Sequence, residues 1–310
     1  MAADAGADAV KFQTFRSDNL VSPQAPKAAY QEETTGSGES QLDMIRRLEL
    51  PLEAFAELKA HCERRGVLFL STPFDEDSLD GLDALGMAAI KIPSGEITNL
   101  PFLTRIAAKG RPVILSTGMA RLAEVDDAVR ALRAAGCEAL AVLHCVSDYP
   151  AAAADANLRA MDTLAAAFGV PIGYSDHTLG LEVALAAVAR GACILEKHVT
   201  LDKTLPGPDH RASLDGAEFA ALTRGVRAVQ SALGHGRKEP AAAEAAIARV
   251  ARRSLFLRRA VPAGGTITLD DLIALRPGDG VPPALAPQVA GRRAARSLNV
   301  GERIDWSDLS

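Results

Sequence analysis

Residues 1–15, MAADAGADAVKFQTF, join two kinds of structure within a few residues. Ala2–Ala5 read as the last turn of a helix, and Gly6 supplies the left-handed residue that ends it. Asp8–Thr14, DAVKFQT, then reads as a buried strand. A helix end running directly into a strand is the joint of a repeating βα chain. It also raises the question of which strand stood before that helix.

Working outward from this joint, the same alternation recurs. Further strand candidates are VLFLST (67–72), MAAIKIP (87–93), RPVILST (111–117), ALAVLHC (139–145), VPIGYS (170–175) and CILEKHV (193–199). Each is almost continuously apolar, as strands covered on both faces are. Helical spacing of Leu52, Phe55 and Leu58 ahead of Gly66, and of Leu122, Val125, Val129 and Leu132 ahead of Gly136, supplies the helices between them. Repeated strand and helix imply right-handed βαβ units and a parallel sheet. The polar residues collect just after the strands, at the edge where a βα barrel keeps its chemistry. Seven strands are counted where a (β/α)8 barrel needs eight, so the expected fold is a TIM barrel lacking its first βα unit.

Residues 16–50 are too long for an ordinary connection and are expected to form a lid. After Leu233 the pattern changes. A connector with one helix, 234–252, leads to a small β-rich domain, 253–310, and the barrel domain is assigned to 1–233. Within the small domain AVPAGGTITLDDL (260–272) and SLNVGERIDWSDL (297–309) share Gly264/Gly301, Ile267/Ile304, Asp271/Asp308 and Leu272/Leu309, which suggests internal pseudo-symmetry.

The 310 residues carry a net charge of −5, so no basic surface advertises nucleic acid as a partner. The apolar runs are far shorter than the ~20 residues of a membrane span, and the start lacks the basic residues of a signal peptide. A cytoplasmic location, with no membrane partner, is expected. Cys62, Cys137, Cys145 and Cys193 show no paired spacing and read as reduced, buried thiols.

His177 in SDHT and His198 in EKHVT end successive strands, so a parallel sheet brings both imidazoles to one mouth. Together they can hold a divalent ion that polarises a carbonyl oxygen, with Asp176, Glu196 and Asp209 as possible further or supporting ligands. Oxygen and nitrogen donors favour Mn²⁺ or Mg²⁺. Each histidine alone reads as an ordinary hydrogen-bonded residue. Lys11 and Lys91 lie at strand ends in apolar context and each needs an anionic partner. That partner is either a neighbouring carboxylate or, with the hydroxyls of Thr72, Ser94, Ser116 and Ser175 on the same rim, a phosphorylated substrate. Glu96 is a candidate for handling protons.

The motifs KFQT, STPF, KIPSGE, LSTGM, HCVSDYP, SDHT, EKHVT and LPGPDHRASL occur in the order seen in bacterial N-acetylneuraminate (sialic acid) synthases and their legionaminate and pseudaminate relatives. The sequence resembles that family over essentially its whole length, and LRPGDG (275–280) resembles the antifreeze-like (SAF) domain that follows the barrel. The resemblance implies condensation of phosphoenolpyruvate with an N-acetylmannosamine-type aldehyde, releasing phosphate and giving a nine-carbon 2-keto acid. It further implies that His177 and His198 bind Mn²⁺. Lys11, Thr72, Lys91, Ser94, Ser116 and Ser175 would cradle phosphoenolpyruvate, with Ser147 standing where some relatives carry Asn. Gln13, Tyr149 and Asp209 would contact the sugar, Glu96 would manage protons, and Arg276 would reach the partner's barrel in a homodimer. Relatives begin with a strand resembling AEIGxNHxG, which this sequence does not contain. The alternatives are a metal-dependent aldolase or lyase of sugar acids, and a truncated, non-catalytic barrel.

Overall fold

The computed structural model describes all 310 residues, which divide into two compact units, Met1–Gly234 and His235–Ser310. In the first unit the opening residues make one helical turn closed by Gly6. The Gly6 amide donates to the Ala3 carbonyl and the Ala7 amide to the Ala2 carbonyl, at 3.0 and 3.1 Å. This is a Schellman motif, and the φ of +88° at Gly6 is what makes glycine necessary there.

β1 (Ala9–Thr14) follows, then three short helices, α1 (Ser17–Leu20), α2 (Ala29–Thr35) and α3 (Gln41–Arg46), and α4 (Leu52–Arg64). The 16–50 stretch therefore has helical structure of its own. Lys27, its side chain 2% exposed, ties it together by donating to Thr35 Oγ1, the Gly36 carbonyl and Glu39. The chain then alternates regularly through β2 (Leu68–Pro73), α5 (Glu76–Ala84), β3 (Ile90–Ile92), α6 (Leu100–Ala107), β4 (Val113–Ser116), α7 (Leu122–Ala134), β5 (Leu140–Cys145), α8 (Ala160–Phe168), β6 (Ile172–Asp176), α9 (Glu182–Ala189), β7 (Leu195–Lys197) and α10 (Gly216–Leu233).

All seven strand candidates are strands, and every pairing among them is parallel. β1 pairs with β2, while β3 to β7 form one sheet in sequence order. The two sheets are not joined by strand pairing, so β1 and β2, like β3 and β7, each have one strand neighbour and are edges. The outward side chains of the strands pack against α4 to α8 in one core that includes Phe55, Leu79, Leu103, Leu132 and Met161. Covering both faces in this way is what an all-parallel array requires. Cys62, Cys137 and Cys145 are buried free thiols, but Cys193 is exposed. It lies two residues before β7, in the connection from α9, so the expectation of burial fails there.

The second unit contains the exposed helix α11 (Glu244–Ala251) and, around a core of Leu255, Ile267, Val281, Leu298 and Ile304, the antiparallel pair β8 (Ser254–Leu257) and β9 (Leu272–Leu275) and α12 (Ala286–Val289). The repeat read from sequence is structural. Gly264 and Gly301 share a φ of +76°, and Ile267 and Ile304 are fully buried. Asp271 and Asp308 each close a one-turn 3₁₀ helix by accepting from the backbone amide three residues back, of Thr268 and of Asp305. Each aspartate also holds an arginine, Arg259 or Arg296, at the same offset.

Candidate functional site

Alternation along the strands decides what faces the inside of the array. Lys11, Gln13, Leu70, Lys91, Ile114, Glu196 and His198 line one cleft of about 460 Å³ that also includes Asp209. Residues two further along the same faces are Thr72, Ser116 and, on β5 and β6, Cys145 and Ser175, which are register partners.

Glu196 is the electrostatic centre of this cleft. Its carboxylate lies 3.8 Å from Lys11 Nζ and 3.4 Å from Lys91 Nζ, and it accepts a 3.1 Å hydrogen bond from Ser175 Oγ. Burial alone would raise the Glu196 carboxyl, but Lys11 and Lys91, with His198 behind them, outweigh it and hold it at about 2. Burial pushes the Lys91 ammonium below its usual range even though Glu196 opposes this. Both lysines thus have the carboxylate partner that one of the two sequence readings required. Glu196, read from sequence only as a possible metal ligand, is that partner.

Around the lysines are hydroxyls without partners. Thr72 Oγ1 and Ser116 Oγ are buried and make no hydrogen bond. A buried hydroxyl left unsatisfied costs about 1–3 kcal/mol, so two on the same face as two lysines mark a place built for a ligand with several acceptor atoms. Nearby, the Gly118 amide donates to Ser94 Oγ at 2.9 Å. A Cβ at Gly118 would run into Ser147 Oγ, Ser94 Oγ and Cys145 Sγ, so only glycine lets these side chains converge.

The two histidines come together as expected, with ring centroids 5.2 Å apart. His177 Nδ1 lies 2.7 Å from the Val146 carbonyl oxygen, so Nδ1 carries the proton and Nε2 keeps its lone pair. His198 Nδ1 lies 3.7 Å from Asp209 Oδ2. Burial and the neighbouring His177 hold the His198 imidazole at about 3, so it is neutral at ordinary pH. Burial would lower the His177 imidazole, but Cys145 and the Val146 carbonyl beside it raise it, so a divalent cation there would compete with a proton, while the neutral His198 ring offers its lone pair directly. No group of three or more protein side chains gathers round one point, so such an ion would keep most of its coordination positions for oxygen atoms of water or substrate.

Tyr149 stacks on His177 with centroids 4.2 Å apart and meets His198 at 5.6 Å. Tyr30 of α2 lies on Tyr149 at 5.2 Å. Burial, with Asp209 adding to it, pushes the Tyr30 hydroxyl up to about 12. Tyr30 was not singled out from sequence; it lies in a segment without strand or helix periodicity, and its only signal was an aromatic residue within the expected lid.

One candidate stands apart from the cleft. Glu96 follows β3 on a 3₁₀ turn, where it accepts from Asn99 Nδ2 at 2.8 Å, and it is not among the residues lining the cleft. Arg276, in the second unit, is exposed just beyond β9. Asp176, expected as a further ligand, instead pairs with Lys197.

Residues 1–238 match the NeuB family and residues 252–310 the SAF domain. The chain is 45% identical over 312 residues to the N,N'-diacetyllegionaminic acid synthase of Legionella pneumophila, covering 99% of this chain and 88% of that protein. It is 35% identical to the N-acetylneuraminate-9-phosphate synthase of Mus musculus, covering 98% of this chain and 84% of the relative. Among solved structures it resembles the N-acetylneuraminic acid synthetase of Leptospira borgpetersenii in complex with citrate, with a TM-score of 0.69 and 39% identity over 78% of this chain and 80% of that one.

Proposed function

This chain belongs to the NeuB family, and from that premise we propose that it condenses phosphoenolpyruvate with an open-chain N-acylated amino sugar, giving a nine-carbon 2-keto acid and inorganic phosphate. The observation that carries the reading is the pair Lys11 and Lys91 facing the same interior as the unpartnered hydroxyls of Thr72 and Ser116, beside two imidazoles. That set suits a small, highly charged phosphate ester next to a carbonyl compound.

In this reading Lys11, Lys91, Thr72, Ser94, Ser116, Ser147 and Ser175 bind the phosphate and carboxylate of phosphoenolpyruvate. Gln13, Tyr149 and Asp209 orient the sugar so that its aldehyde carbon lies against carbon 3 of phosphoenolpyruvate. A divalent ion such as Mn²⁺ on His177 and His198 would supply Lewis-acid polarisation of the aldehyde oxygen. Carbon 3 bonds to the aldehyde carbon, whose oxygen becomes the new hydroxyl. Water adds at carbon 2, and loss of phosphate from that carbon leaves the keto group. The role of Lys11 and Lys91 is to hold negative charge in place through both steps, and Glu96, read from sequence as the proton handler, is given no step because it lies outside the cleft.

The working unit is proposed to be a cytoplasmic homodimer in which Arg276 reaches the partner's barrel. Residues 235–310 carry twelve Lys and Arg against eight Asp and Glu, while residues 1–234 carry 22 against 31, so the two units have opposite charge. Met119, Leu179, Leu201 and Leu205, in the loops after β4, β6 and β7, are exposed apolar residues that a partner's basic domain would cover.

The test is an assay with phosphoenolpyruvate and a panel of N-acetylmannosamine and diacetamido-sugar acceptors, reading product mass and phosphate together. Stoichiometric phosphate and 2-keto acid are expected. Product from pyruvate without phosphate release would establish the aldolase reading instead.

A further inference from the structure

Asp176 and Lys197 are the charged residues of SDHT and EKHVT that the proposed reaction leaves without a task. They are opposite one another in the register of β6 and β7, one position beyond Ser175 and Glu196, so their side chains alternate away from that pair. Their side chains are 0% and 1% exposed and meet at 2.7 Å. The carboxylate of Asp176 also accepts from the Thr178 amide at 2.9 Å and from Thr178 Oγ1 at 2.8 Å, and Lys197 Nζ donates to the Thr178 carbonyl. Residues 176–178 are therefore closed into a small ring of polar contacts that brackets His177, while His198 follows Lys197 directly.

A fully buried ion pair is a poor source of stability, because apolar residues of similar volume usually do as well or better. What it supplies is direction: each atom of this network has one position in which all its bonds are made. We propose that the Asp176–Lys197 pair is a positioning device that sets the spacing and orientation of His177 and His198. This rests on the metal reading given above. The imidazoles are fixed separately from their own side, His177 by the Val146 carbonyl and by the Ala151 amide on its backbone oxygen at 3.0 Å, His198 by the Leu214 amide on its backbone oxygen at 2.9 Å. Backbone pairing of β6 with β7 ends at Asp176 and Lys197, and the Ser175–Glu196 hydrogen bond links the strands one position earlier, so the ion pair is the last link between the two strands before the rings.

The test compares wild type with the double variant Asp176→Asn, Lys197→Met, which removes both charges and leaves neither buried alone. Mn²⁺ affinity is read by electron paramagnetic resonance, and the imidazole tautomers of the metal-free protein by ¹⁵N NMR. The double variant is expected to melt cooperatively near the wild-type temperature, to bind Mn²⁺ about 10–100-fold more weakly, and to lose the single Nδ1–H tautomer of His177. Wild-type Mn²⁺ affinity and wild-type ¹⁵N signals in a folded double variant would overturn the proposal. If wild type itself bound no Mn²⁺, the metal reading would fall, and the ¹⁵N signals alone would decide whether the pair positions the rings. As a further check on folding, Lys197→Met alone leaves Asp176 charged and unpaired and is expected to lower the melting temperature well below that of the double variant.

Discussion

Replacing Glu196 with Gln would test the electrostatic heart of the cleft. The carboxylate lies within 4 Å of two lysines, and Lys91 is only 4% exposed. Holding the Glu196 carboxyl at about 2 instead of 4.5 corresponds to about 3 kcal/mol in favour of the charged form, at roughly 1.4 kcal/mol per tenfold change. Breaking a buried pair from one side costs about 3–5 kcal/mol, so both routes give a similar figure. For a unit of this size that is a fall of about 6–12 °C in melting temperature. The same variant leaves two cations facing the cleft with nothing to neutralise them. Inorganic phosphate, used as the probe anion, should therefore bind about tenfold or more tightly and recover much of the lost melting temperature, whereas wild type should respond weakly. The assay is a thermal melt of both proteins across a phosphate titration at constant ionic strength. A variant that melts with wild type, or an equal phosphate response in the two, would show that Glu196 is not the charge balancing Lys11 and Lys91.

Three further outcomes are expected. Gly118→Ala should abolish turnover while changing the melting temperature by only a few degrees, because the new methyl meets the side chains of Ser147, Ser94 and Cys145 rather than backbone; unimpaired steady-state kinetics would disprove the close approach. In the second unit Arg259 is the main influence holding the Asp271 carboxyl at about 2, below its ordinary 3.8, so its contribution is complete above about pH 4 and is lost as pH falls toward 2. Trp306, the only tryptophan and a member of that unit, reports this: fluorescence-detected urea midpoints should fall over that window in wild type and much less in Asp271→Asn. Native-state hydrogen exchange should find the outer-edge amides of β1 and β7 exchanging at least about tenfold faster than those of Leu115 and Val142 in the paired interior, and uniform protection would mean the two edges are closed.

Much of the architecture was legible because parallel strands buried on both faces must be apolar almost without interruption. IKI of β3 and VILS of β4 could be read from that alone, as could the amphipathic spacing of Val125, Val129 and Leu132 on α7. The convergence of His177 and His198 followed from their position after successive strands of one parallel sheet. The repeat in the C-terminal unit was visible because a Gly at positive φ and an Asp capping a one-turn helix are local requirements that recur at a fixed offset. The segment 16–50 was opaque, since the contacts that hold it, such as Lys27 on Glu39 and Tyr30 on Tyr149, depend on single side chains with no period.

Local chemistry along the chain was therefore enough to determine the strand order, the polar rim and the two imidazoles. Only the tertiary structure decided which charge meets which. Glu196 and Lys197 are neighbours in sequence, yet the strand's alternation sends one to Lys11 and Lys91 and the other to Asp176. Sequence periodicity predicts that two adjacent residues face opposite ways, but their partners come from strands 185, 105 and 21 residues away. The low dielectric in which those charges are buried exists only once the strands and helices have packed together.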